Sequence, residues 1–100
     1  MEINEGSIKN LKVKLGRVME ERETQNGKRL KKFELDGGVL VLWENDCDLD
    51  LKEGDEIIMI NGYCKTYAET GEKQVMFGKF GSFKKGDVFF KKQEDKWKNV

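Results

Sequence analysis

Histidine and proline are absent from this 100-residue chain, cysteine occurs only at Cys47 and Cys64, and the formal net charge is zero. Without histidine, imidazole acid–base catalysis and imidazole-ligated metal sites are excluded. Two thiols without CxxC spacing offer no zinc site. They read as free thiols in a reducing compartment, either packed in the core or reactive, and apolar packing is the commoner role. No apolar run approaches the roughly 18 residues of a spanning helix, and the N-terminus lacks the apolar stretch of a signal peptide. The expectation is a cytoplasmic protein with no membrane partner. Walker loops, GxGxxG fingerprints and nucleophile–base pairs are also missing, so neither an enzyme nor a cofactor is expected. Asp46-x-Asp48-x-Asp50 resembles the start of a calcium loop, but Leu51 stands where glycine is required and Ile57 where glutamate belongs. That acidic stretch reads as a solvated helix face.

What is present is charge, at 38% of residues against 37% apolar, which calls for a compact core under a heavily solvated surface. The charge is segregated. Lys28, Arg29, Lys31 and Lys32 cluster, and residues 79–92 carry five lysines against Asp87, whereas residues 44–56 hold seven acids against Lys52. A neutral total can therefore conceal a basic face and an acidic one.

Glycine and asparagine do the punctuating. Asn26-Gly27, Asp36-Gly37-Gly38, Gly54-Asp55, Asn61-Gly62, Thr70-Gly71 and Gly86-Asp87 are turn or bulge signals between stretches of period-two apolar spacing. The spacing predicts five strands. The first runs from Leu11 to Glu23 with a bend at Gly16, the second from Arg29 to Leu35, and the third from Val39 to Trp43. The fourth covers Glu56 to Tyr67 and the fifth Gln74 to Phe80. A short helix is expected within residues 45–55, anchored by Leu49 and Leu51. On the third strand Val39, Val41 and Trp43 should point outward together. Residues 1–90 are expected to form one domain and residues 91–100 a polar tail, apolar only at Trp97. Five strands with a helix between the third and fourth predict an all-β, five-stranded OB-fold barrel.

At Trp43 a resemblance enters. Val39-Leu40-Val41-Leu42-Trp43-Glu44-Asn45-Asp46, followed by Lys52-Glu53-Gly54-Asp55-Glu56-Ile57-Ile58-Met59-Ile60-Asn61-Gly62-Tyr63, resembles replication protein A and archaeal single-stranded-DNA-binding proteins. Phe77-Gly78-Lys79-Phe80-Gly81-Ser82-Phe83 is similar to that family's fifth strand and glycine exit, so the likeness spans roughly residues 7–83. It implies that Trp43, Tyr63 and Tyr67 stand where the family stacks rings on bases. Independently, residues 63, 65 and 67 share one strand face, so Lys65 is flanked by two tyrosines, an order suited to base, phosphate and base. Phe33, Phe77, Phe80 and Phe83 read as core. Trp43 and Tyr67, with partly polar in-phase neighbours, read as surface rings, and Tyr63 fits either role. Arg29, Lys31, Lys32, Lys73 and Lys79 fall near the first and last hairpins, whose loops flank an OB groove, and are the candidate phosphate contacts.

The resulting expectation is non-catalytic binding of single-stranded DNA in replication, repair or recombination, as one module among sister OB domains. Two alternatives stay open, an OB domain that contacts protein and one that binds RNA.

Overall fold

The computed structural model describes residues 3–99, whose regular elements are β-strands apart from one 3₁₀ turn at Glu44–Asp48. Ten strands follow one another: β1 Gly6–Ile8, β2 Leu11–Lys14, β3 Val18–Glu23, β4 Arg29–Leu35, β5 Gly38–Trp43, β6 Glu56–Tyr67, β7 Glu72–Met76, β8 Ser82–Lys85, β9 Val88–Gln93 and β10 Lys96–Asn99. No helix among the described residues is long and apolar enough to cross a membrane.

The second and fourth expected strands coincide with β4 and β6, and the first is present in two pieces, β2 and β3, interrupted around Gly16. At that interruption the Leu15 and Gly16 amides donate to the Asp55 and Glu34 carbonyls (2.8 and 2.7 Å), and the Glu34 amide donates to the Arg17 carbonyl (2.9 Å). Side-chain room is scarce there, since a methyl group on Gly16 would lie 3.0 Å from the Glu34 carbonyl oxygen. The bend therefore keeps its backbone bonded while the chain passes from one neighbour to another.

Three expectations are corrected. The fifth strand stops at Met76, because Phe77 to Gly81 turn to start β8, the Gly81 amide donating to the Gly78 carbonyl (3.0 Å). The expected helix is only the 3₁₀ turn, whose N-cap Trp43 provides no side-chain hydrogen bond and whose residues include the weak helix formers Asn45, Asp46 and Asp48. The polar tail belongs to an antiparallel hairpin, with Lys96 paired to Gln93 and Asn99 to Phe90. Its two connecting residues, Glu94 (φ 50°) and Asp95 (φ 63°), adopt the left-handed pair that a tight hairpin demands. Glutamate followed by aspartate carries no glycine or asparagine to announce such a turn.

Strand β6 organises the sheet. Its first half pairs with β2 (Leu11 with Met59) and with β8 (Ile58 with Lys84), and its second half with β1 (Gly6 with Cys64) and β7 (Tyr63 with Met76). The change of neighbour falls at Asn61-Gly62, just after the register against β8 shifts between Met59 and Asn61, and a β-carbon on Gly62 would lie 2.9 Å from the Met76 carbonyl oxygen. This turn signal thus marks a close approach inside a strand. Beyond β7 the order continues to β5, in parallel, and then to β4 and β3, while β9 and β10 extend the sheet past β8.

The main core gathers Leu15, Phe33, Leu40, Leu42, Ile57, Met59, Val75 and Phe83, each at most 1% exposed. A smaller apolar cluster of Leu30, Val39, Val41 and Met76 lies on the opposite face of β4, β5 and β7. Val39 and Val41 do share a face with Trp43, yet they are buried, packed in the smaller cluster with Leu30 and Met76. Cys64 is buried and Cys47 half-buried, with burial pushing both thiols up from their ordinary pKa.

The C-terminal hairpin is fastened by chemistry as well as by pairing. Rings of Phe77, Phe83, Phe90 and Trp97 pack with centroids 4.8 to 5.4 Å apart. The Trp97 indole donates to Asp46 Oδ1 at 2.8 Å, and the Lys92 ammonium lies 3.0 Å from the same oxygen. Asp46 is only 3% exposed, so this member of the acidic stretch is a buried, paired charge rather than part of a solvated face.

Candidate nucleic-acid interface

Register and strand alternation together build one continuous face. Leu30 is opposite Trp43, Lys32 opposite Val41, and Met76 lies beside Val41 on one side and Tyr63 on the other. Lys65 pairs with Gln74 and Tyr67 with Glu72, while Arg22 on β3 pairs with Leu30. Since side chains at i and i+2 share a face, Trp43, Tyr63, Lys65, Tyr67 and Lys32 stand on one surface above the floor of Leu30, Val39, Val41 and Met76. The three rings remain 38%, 39% and 42% exposed. The Tyr63 hydroxyl reaches Met76 Sδ at 3.7 Å and the Tyr67 hydroxyl donates to Glu69 at 3.3 Å, contacts that orient each ring without covering it.

This face holds two depressions that meet at Trp43, Val41 and Met76. One, about 490 Å³, runs toward Tyr67, and its charged lining is Arg22, Lys32 and Lys65 against Glu72 alone. The other, about 330 Å³, runs toward the 3₁₀ turn and is lined by Glu44, Asp46 and Asp95 against Lys92. The ring of Trp43 thus separates a basic stretch from an acidic one. In the basic stretch Lys32 approaches Glu72 at 3.4 Å, and the Gln74 amide donates to the same carboxylate at 3.0 Å. The Gln74 bond, and secondarily Lys32, hold the Glu72 carboxyl below its ordinary pKa against the opposing effect of burial. Lys65 is exposed and, among the described residues, is in no ion pair.

Four predicted cations lie elsewhere. Arg29 and Lys31 share the phase of buried Phe33 on β4, so they leave the face that Lys32 occupies. Arg29 clasps both Asp48 oxygens at 2.7 and 2.8 Å, which raises the guanidinium pKa and lowers that of the carboxyl. The Lys31 ammonium sits 5.1 Å from the Phe33 ring centroid and 3.7 Å from Glu21. Lys73, in phase with buried Val75, donates to the Ile3 carbonyl at 2.6 Å. Lys79 belongs to a separate depression beside Phe80, which is 63% exposed and not in the core.

Residues that sequence reading passed over are Arg22, Gln74 and Met76. Alternation alone could have found Gln74 and Met76, because they continue the phase set by Glu72. Arg22 required the register of β3 against β4, which shifts between Val18 and Glu20. No protein-family model matches this chain, and no curated protein matches it in sequence.

Proposed function

We propose that this chain is an OB-fold module of the replication protein A type that binds single-stranded DNA without catalysis. The strand order β3-β4-β5-β7-β6-β2 supports the fold, because β2 and β3 are consecutive pieces of one chain segment and bring the two ends of that order together. The five strands of the barrel are then β2 with β3, β4, β5, β6 and β7, and β8 to β10 are an addition to it. A single parallel pair, β5 with β7, fits the same topology.

The observation that carries the functional reading is the open groove in which Trp43, Tyr67 and Lys65 stand above an apolar floor with Arg22 and Lys32 beside them. Bases would stack on Trp43, Tyr63 and Tyr67, each stack contributing about 1–3 kcal/mol. Phosphates would lie along Lys65, Lys32 and Arg22. With zero net charge, stacking contributes more than phosphate attraction, and the isolated domain should bind in the micromolar range or more weakly. Linkage to sister modules would raise the affinity in replication, repair or recombination.

A second reading, protein contact, is favoured by the acidic depression of Glu44, Asp46 and Asp95, which would attract a basic partner and repel phosphate. Anisotropy of labelled oligo-dT, titrated with protein at low salt, separates the two. Binding that is lost in Trp43→Ala/Tyr67→Ala with an unchanged circular dichroism spectrum supports the groove. Absence of binding by the intact protein rejects it in favour of protein contact, and tighter binding of oligo-U would assign the groove to RNA.

A further inference from the structure

The turn that follows β7 presents a ring in an unusual setting. Among the described residues Phe80 is the most exposed of the large apolar side chains, at 63%. The Lys79 ammonium is 5.7 Å from its ring centroid, and the depression beside it, about 500 Å³, is lined by Lys79, Lys96 and Lys98 against Glu94. Lys96 and Lys98 face outward because Trp97 between them turns into the core. Across the hairpin, exposed Lys91 pairs directly with Lys98. Like charges so placed repel and destabilise the pair. Among the described residues Lys79, Lys91, Lys96 and Lys98 enter no ion pair.

One exposed phenylalanine needs no explanation. A ring beside three ammonium groups that enter no ion pair among the described residues is different, because it combines the two elements of a single-strand site, a π-face and a cationic border. The patch also lies close to Tyr63, which lines the neighbouring depression of the same face. Gly78 lies against Tyr63, such that a methyl group there would be 3.5 Å from Tyr63 Cε1. Phe80 is two residues further on, a span of at most about 7 Å. Its position is held by the Asn61 side-chain amide, which donates to the Phe80 carbonyl at 2.9 Å.

We propose that Phe80, bordered by Lys79, Lys96 and Lys98, is a second stacking site that receives the nucleic-acid strand beyond Tyr63. This inference rests on the nucleic-acid reading of the groove. It makes the hairpin of β9 and β10 a working part of the binding surface, and it takes the strand along the Tyr63 and Phe77 edge of the acidic depression.

The test compares two lengths of oligo-dT, about 5 and about 15 nucleotides, near the two ends of the site sizes known for one OB fold. Phe80→Ala should weaken the longer oligonucleotide about tenfold and leave the shorter one unchanged, with Phe80→Tyr restoring affinity. Lys79→Gln/Lys96→Gln/Lys98→Gln should lower the salt slope for the longer oligonucleotide by about 2, at roughly 0.7 for each lost phosphate contact. Equal affinity of Phe80→Ala and the unaltered protein for the longer strand would overturn the second site while leaving the groove standing. If the unaltered protein binds neither length, the groove reading fails and this inference fails with it. Phe80-dependent pelleting with anionic vesicles, without any Phe80 effect on oligonucleotides, would overturn it in favour of a membrane contact.

Discussion

The rings of Phe77, Phe83, Phe90 and Trp97 press against one another and are closed in by the C-terminal hairpin, whereas those of Trp43, Tyr63 and Tyr67 make no ring–ring contact among the described residues and stay about two-fifths exposed. Both groups lie mainly on β-strands, Phe77 excepted, and both contain a tryptophan. The difference is what lies across the sheet face. Phe83 and Trp97 meet rings from other segments, while Trp43, Tyr63 and Tyr67 line open depressions. Aromatic residues therefore stabilise the fold at one site and stay open to solvent at the other.

That contrast can be broken in a graded way. The largest effect should follow Phe83→Ala, which removes a ring that is 1% exposed and should cost about 3–5 kcal/mol in urea unfolding. A loss below about 1 kcal/mol would show that the hairpin does not seal the core. Asp46→Ala should cost about 3 kcal/mol, because Lys92 and Trp97 both lose the acceptor that fastens the hairpin. Lys92→Met should soften that penalty in the double variant, giving a measurable coupling between the two sites. Trp43→Ala is the opposite case. Its stability should change by no more than about 0.5 kcal/mol while affinity for oligo-dT falls about tenfold.

The smallest effect concerns pH. Asp48 is held below its ordinary carboxyl pKa chiefly by Arg29. Asp55 is lowered too, the Lys52 amide and Lys85 outweighing the opposing effect of burial. Glu72 is lowered chiefly by Gln74. The unfolded chain takes up these protons first, so their stabilising contribution is complete above about pH 4.5 and is lost as pH falls through the depressed folded values. The unfolding midpoint in urea should therefore be flat from pH 5 to 7 and fall below about pH 4, with Asp48→Asn reducing the drop.

Much of this arrangement was legible from period-two spacing. Strands β4 and β6, and the shared face of residues 63, 65 and 67, follow from alternation between glycine and asparagine signals. The misassigned cations show the limit of reading clusters in place of phase. Arg29 and Lys31 look like neighbours of Lys32 in sequence, yet strand geometry sends them to the face of Phe33. Glu94 and Asp95 hid the last hairpin because nothing in their chemistry advertises a left-handed turn. The burial of Asp46 was invisible for a related reason, since its partners Lys92 and Trp97 come from that same hairpin, some fifty residues away.

The separation between the two aromatic groups is tested most directly by fluorine NMR of protein labelled with 5-fluorotryptophan, titrated with oligo-dT. Two resonances are expected, assigned with Trp43→Phe so that the indole bond of Trp97 to Asp46 is left intact. The account predicts that the Trp43 signal moves progressively to saturation, less so at high salt, while the Trp97 signal stays in place. A Trp43 resonance that does not move, or a shift confined to Trp97, would contradict it.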